Sequence, residues 1–127
     1  MPLTKIHIRQ GHPAEKKRAI ADAVQASLID TLGIPEQDRF QLIQEYEDEH
    51  FIHTDAFLDL TYTRDLLMIE IAFIAGRSDE LKQALLADLN RRLVETADVR
   101  PDDVLVLIYE SPPANFSFGR GLAQRAP

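Results

Sequence analysis

A constant offset of 65 residues runs through this chain: Ile6 falls on Ile71, Gly11 on Gly76, Glu15 on Glu80, Lys17 on Lys82, Leu28 on Leu93, Thr31 on Thr96 and Asp38 on Asp103. An offset held across a whole strand, helix and turn restricts the chain to folds built from two copies of one unit. The first copy opens on the strand-like run Lys5-Ile6-His7-Ile8 and continues after Gly11 as a helix, with an apolar stripe at Ile20, Ala23, Val24, Leu28 and Leu32. Pro13 suits the first helical turn and Gly33 the exit. Beyond Pro35, residues Phe40 to Tyr46 read as a strand with weak alternation. In the second copy Ser78 is a good N-cap, followed by Asp79 and Glu80, whose charges favour a helix N-terminus. The stripe Leu81, Leu85, Leu89 and Leu93 follows, and Val104 to Tyr109 closes the unit as a strand.

Two β-α-β units with right-handed crossovers put both helices on the same face of the sheet. The expected fold is therefore α+β, with a four-stranded core sheet and two helices on one face. It is read as a single domain over residues 1–127, with repeat units at approximately 2–46 and 65–110 and a C-terminal segment at 111–127. The strand from Leu66 to Ile74 is apolar on both of its faces, so both need cover. No third long helix supplies the second cover, and so large an exposed apolar face is unusual on a monomer. Other subunits are expected to supply it. Between the units, Glu47 to Thr63 is polar, aromatic and irregular, suited to a hairpin or an inter-subunit arm.

Composition narrows the chemistry. The 127 residues are 45% hydrophobic, enough for a real core. There is no cysteine, which excludes disulfide scaffolds, thiolate metal sites and cysteine nucleophiles. The net charge of −7 argues against nucleic acid and anionic membranes, which need a basic footprint. The longest apolar run, Leu66 to Ala75, is broken by Glu70 and too short to span a bilayer. With no signal-peptide pattern, a cytoplasmic location is expected. His50 and His53, among Glu47, Asp48, Glu49 and Asp55, offer metal ligands by type only; their irregular stretch reads as a solvated acidic loop. His7 and His12 have no evident partners. No phosphate-cradling glycine loop or serine-histidine-aspartate arrangement is present.

Pro2 stands apart. Loss of Met1 would leave it as a secondary amine at the chain terminus, leading directly into the first strand. An ordinary α-amino group titrates near ~8. Burial or a neighbouring cation lowers that value toward neutrality, where the amine can take and return protons.

These features resemble the tautomerase superfamily, and within it the malonate semialdehyde decarboxylase-like group. Gly33-Ile34-Pro35-Glu36-Gln37-Asp38-Arg39-Phe40-Gln41 is similar to that group's glycine-valine-proline-proline-x-aspartate-arginine-tyrosine-glutamine stretch. Arg100-Pro101-Asp102-Asp103-Val104 resembles its serine-proline-aspartate-aspartate-valine turn, and Asn115 to Gly121 its tryptophan-serine-phenylalanine-glycine-arginine-glycine run. The resemblance spans nearly the whole chain and is weakest from Glu45 to Thr61. It implies a homotrimer that acts on small anionic 2-oxo or 3-oxo acids without cofactor or metal. Pro2 matches the catalytic proline and Asp38 the family aspartate. Arg77 matches the second arginine of an arginine-proline-arginine motif whose first two positions are here Ala75 and Gly76. The first-helix histidine of the related dehalogenases is absent, since Ser27, Leu28 and Ile29 occupy that region.

Keto-enol tautomerisation needs a proton shuttle and a cation for the substrate carboxylate and enolate. Pro2 suits the first role and Arg77 the second, because a guanidinium binds carboxylate in bidentate fashion at any working pH. Asp38 orients a water or the prolyl ammonium, or simply caps the turn before the next strand. Arg9 contributes from the same or a neighbouring subunit, or forms a surface ion pair. Phe116 and Phe118 wall a pocket or anchor the C-terminal segment, with Phe116 the better pocket candidate. Arg120, between Gly119 and Gly121, forms an anion-binding turn or an ordinary hairpin end. The leading expectation is tautomerisation of a small 2-oxo acid, phenylpyruvate-like. Decarboxylation or hydration of a 3-oxo or unsaturated acid is the enzymatic alternative, and a non-catalytic trimeric binding or structural protein the alternative outside catalysis.

Overall fold

The computed structural model describes residues 2–127, so Met1, and with it the expected loss of that residue, lies outside the described residues. Strand β1 (Pro2–Arg9) is followed by α1 (Ala14–Leu32) and β2 (Gln41–Tyr46). A small hairpin of β3 (Ala56–Phe57) and β4 (Leu60–Thr61) precedes β5 (Leu67–Ile74), α2 (Asp79–Ala97) and β6 (Val104–Ser111). The main sheet has the order β2-β1-β5-β6. Each repeat contributes a parallel pair, and the two repeats meet in the antiparallel pairing of β1 with β5.

The helix boundaries follow local chemistry. Gly33 ends α1 in the left-handed conformation, φ 72°, and its N–H donates to Ile29 O. The Ser78 hydroxyl accepts from the Leu81 N–H and starts α2. Alternation then decides the faces. Leu67, Ile69, Ile71 and Phe73 of β5, with Ile6 and Ile8 of β1, are fully buried under Ile20, Val24, Leu28, Leu85, Leu89 and Leu93 of the two helices. On the outer face Leu42, Leu105, Leu107 and Tyr109 are each more than 40% exposed. The face expected to need cover is thus the one left open in the single chain.

That face also carries a hydrogen-bonded chain that gives His7 its partners. His7 Nδ1 lies 2.6 Å from the Tyr46 hydroxyl and His7 Nε2 lies 2.5 Å from Glu70, which also accepts from the Tyr109 hydroxyl at 2.8 Å. These bonds, His7 foremost, hold the Glu70 carboxyl below its ordinary value. His12 Nε2 lies 3.3 Å from the Asp65 carboxylate. Among the described residues no helix is long and apolar enough to cross a membrane.

The helices are joined by a polar clasp as well as by leucines. Buried Ser27 donates to Asp88, which also accepts from Arg91 and Arg92, and Arg92 reaches Asp30 on α1. Burial opposes ionisation of Asp88, but these donors outweigh it and hold the carboxyl at about 2, against 3.8 ordinarily. A depressed carboxyl stabilises the fold above its unfolded value, and the benefit disappears as pH falls from about 3.8 to about 2. Asp88→Asn is expected to lower the unfolding free energy at pH 7 by about 2 kcal/mol, with the gap from the parent closing toward pH 2. Urea unfolding at both pH values measures this, and a gap independent of pH would contradict it.

Candidate active site at the Pro2 end of the sheet

Three sequence candidates come together where β1 begins. Pro2 is buried and paired across the sheet with Phe73, one residue from the end of β5. On its other side, the Thr4 N–H donates to Phe40 O at 3.0 Å, tying β1 to the segment that enters β2. Asp38 lies on that segment. Its N–H donates to Pro35 O at 3.0 Å and its carbonyl accepts from the Gln25 amide at 3.1 Å, so backbone atoms carry the turn.

Arg77 arrives from β5. Gly76, at φ +131°, reverses the chain in a conformation that a Cβ would strain. The Arg77 guanidinium then folds back to donate to Ile74 O at 3.1 Å and lies 5.0 Å from the centroid of the Phe73 ring. Phe73 is therefore shared: Pro2 pairs with it and Arg77 stacks on it. Beside them is a cavity of about 520 Å³ whose polar lining includes Asp38, Arg77 and Arg125. Leu32, Ile34, Pro35, Ile74 and Pro113 give it apolar walls. A guanidinium pair and an apolar wall suit a small organic acid.

The duplication supplies an internal comparison. At the 65-residue offset Leu67 takes the place of Pro2, His12 that of Arg77 and Asp103 that of Asp38. This second cleft is only about 50 Å³, with His12 Nε2 3.3 Å from a carboxylate oxygen of Asp65. Asp103 is fully buried and accepts from the Thr63 N–H and hydroxyl and pairs with Arg100. Burial opposes its ionisation, but those donors prevail and hold it below its ordinary value. Leu67, inside the chain, offers only an amide nitrogen. The cleft at the Pro2 end of the pseudo-symmetric sheet is open, whereas its repeat equivalent is nearly filled.

The remaining candidates lie elsewhere. Arg9, at the far end of eight-residue β1 from Pro2, is buried and cannot reach the Pro2 site of its own chain. It donates to Phe51 O and Arg64 O, each at 2.7 Å, and stands 4.7 Å from the centroid of the Phe51 ring. The 47–63 loop is accordingly not merely solvated. Arg9 also meets His53 at 3.2 Å and Asp48 at 3.5 Å, and so pins the loop to the sheet. No group of three or more His, Asp or Glu that could hold a metal occurs among the described residues.

Phe118 packs on Phe40 with ring centroids 6.1 Å apart, which is an anchoring contact. Phe116 is half-buried after a short turn, and its N–H donates to Pro113 O at 3.3 Å. Neither lines the 520 Å³ cavity. Arg120 sits at φ +58° between two glycines at an exposed hairpin end, closed by Leu122 N–H to Gly119 O. Arg125, which does line the cavity, was not among the candidates from sequence. No periodicity or motif marks it, and its only signal was the need for a second cation once Ala75 and Gly76 are seen in place of arginine and proline.

Comparison with known proteins agrees with this fold. Two family models, each described as a tautomerase enzyme, match residues 2–58 and 38–119. The probable tautomerase YusQ of Bacillus subtilis (strain 168) is 30% identical over 124 residues, covering 98% of both chains. The structure of FG41 malonate semialdehyde decarboxylase inhibited by 3-bromopropiolate superposes with a TM-score of 0.89 at 35% identity, over 96% of this chain and 92% of the other. The Q0 fused 4-OT symmetric trimer gives 0.78 at 27%, over 94% of each. Duplicated β-α-β units, an open cleft at the proline end of the sheet, and matches that run nearly from end to end make this chain an enzyme of the tautomerase family.

Proposed function

We propose that this enzyme catalyses keto-enol tautomerisation of a small 2-oxo acid, with Pro2 as the proton shuttle once Met1 is lost. The observation that carries the reading is the sharing of Phe73 by Pro2 and Arg77 beside a cavity that also reaches Asp38. For an aryl enolpyruvate, the neutral Pro2 amine takes the enol hydroxyl proton and the resulting prolyl ammonium gives it to C3. The product is the 2-oxo acid, with no atom gained or lost. Arg77 binds the carboxylate and offsets charge developing on the enolate oxygen. Its cation also disfavours protonation of the amine, while the Asp38 carboxylate acts in the opposite sense. The exposed outer face, with Leu42, Leu105, Leu107 and Tyr109, supports assembly of one-domain chains into a homotrimer.

Decarboxylation of a small 3-oxo acid is the second reading, favoured by the 35% identity to a malonate semialdehyde decarboxylase. It uses the cationic form of Pro2 to polarise a carbonyl. The two readings differ in sign with pH: kcat/KM rises through the amine pKa for a tautomerase and falls through it for a decarboxylase. The test is loss of phenylenolpyruvate absorbance beside carbon dioxide release from malonate semialdehyde, both across pH 5–9 with mass-verified, Met1-free protein. Saturable ketonisation with a rising acidic limb is expected. Carbon dioxide release alone, falling with pH, would replace the first reading by the second.

A further inference from the structure

We infer that Arg125 is a substrate-binding residue, supplying from the C-terminal segment the second guanidinium that Ala75 and Gly76 do not provide. The inference rests on the placement of the site proposed above. Arg125 lines the same cavity as Arg77 and Asp38. In a chain of net charge −7, arginines are readily claimed by carboxylates, and most here are. Among the described residues only Arg77, Arg120 and Arg125 form no ion pair, and two of those three meet at this one cavity. The segment that carries Arg125 is built rather than trailing. Gln124 clips it to the preceding hairpin by accepting from the Phe118 N–H at 3.0 Å and donating to Gly119 O at 3.1 Å. The Ala126 N–H then closes a turn onto Ala123 O at 3.1 Å, with Arg125 inside it. Two unpaired guanidinium groups beside an apolar wall are a site for a carboxylate whose organic part lies on Ile34, Pro35 and Pro113.

The probe is benzoylformate, a 2-oxo acid with no enolisable hydrogen, whose binding is read by titration calorimetry without turnover. Its neutral amide, benzoylformamide, is the control. In Met1-free protein Arg125→Gln is expected to weaken benzoylformate about tenfold and to raise KM for phenylenolpyruvate by a similar factor. The kcat and melting temperature should stay close to the parent values, benzoylformamide should be unaffected, and Arg125→Lys should recover part of the binding. Unchanged benzoylformate affinity in Arg125→Gln, equal loss for acid and amide, or no binding by the parent protein overturns the inference. Arg125-dependent binding without enol turnover would uphold it while removing the tautomerase reading.

Discussion

Met1-free protein carrying Pro2→Ala is expected to ketonise phenylenolpyruvate about 10²-fold more slowly in kcat/KM than the parent, within the range of a displaced general base. Protein that retains Met1 is expected to lose about 10⁴-fold or more. The difference between the two follows from the nitrogen. With Met1 in place, Pro2 N is a tertiary amide without a basic lone pair and the shuttle does not exist. In Pro2→Ala an amine remains, but it is primary and freely rotating. The pyrrolidine ring that ties the nitrogen back to the side chain and fixes the direction of its lone pair is lost. Reacting atoms held in a narrow geometry are worth orders of magnitude in rate, and that geometry is what alanine relaxes. Intact mass must accompany every rate, because a few per cent of processed chains would disguise the Met1 effect. Equal rates for the processed and unprocessed chains would end the proline mechanism, whatever the substrate.

The open cleft and its nearly filled repeat equivalent explain how much of this could be read from sequence. Strand and helix identity follow from local pattern: the β5 alternation, the Ser78 cap and the Gly33 exit all stand where periodicity and capping chemistry put them. The repeat offset leaves open which strands join the two units; the antiparallel pairing of β1 with β5 comes from tertiary packing. Arg9 has partners that no sequence pattern marks, the backbone carbonyls of Phe51 and Arg64, more than 40 residues away. A carbonyl has no residue-type signature, so a buried arginine satisfied in this way looks from sequence like any arginine at a strand end. Asp38 and Asp103 pose the reverse problem, being equivalent in sequence and unlike in setting. Only tertiary structure shows that Thr63 and Arg100 claim Asp103 whereas Asp38 borders a cavity.

Arg77→Ala is expected to lower kcat/KM for the same reaction by about 10²–10³-fold, since it removes a preorganised cation from the place where carboxylate and enolate charge reside. Binding loss alone would raise KM and leave kcat intact. Loss of enolate stabilisation lowers kcat as well, and the expected result is movement in both. A second effect is independent of binding. With the cation gone, the amine is protonated more readily, so the acidic limb of the pH profile moves to higher pH. Arg77 also stacks on Phe73 and bonds Ile74 O, so a fall in melting temperature must be checked; Arg77→Lys keeps the charge and should keep the position of the limb. An unmoved limb in Arg77→Ala, with kcat preserved, would reduce Arg77 to a packing residue. Combined with Arg125→Gln, the losses should fall short of additive if both guanidinium groups hold one carboxylate, because once the first is removed the second no longer engages the same geometry. Additive losses would mean two separate anionic groups on the substrate, and would point from a monocarboxylate to a dicarboxylate.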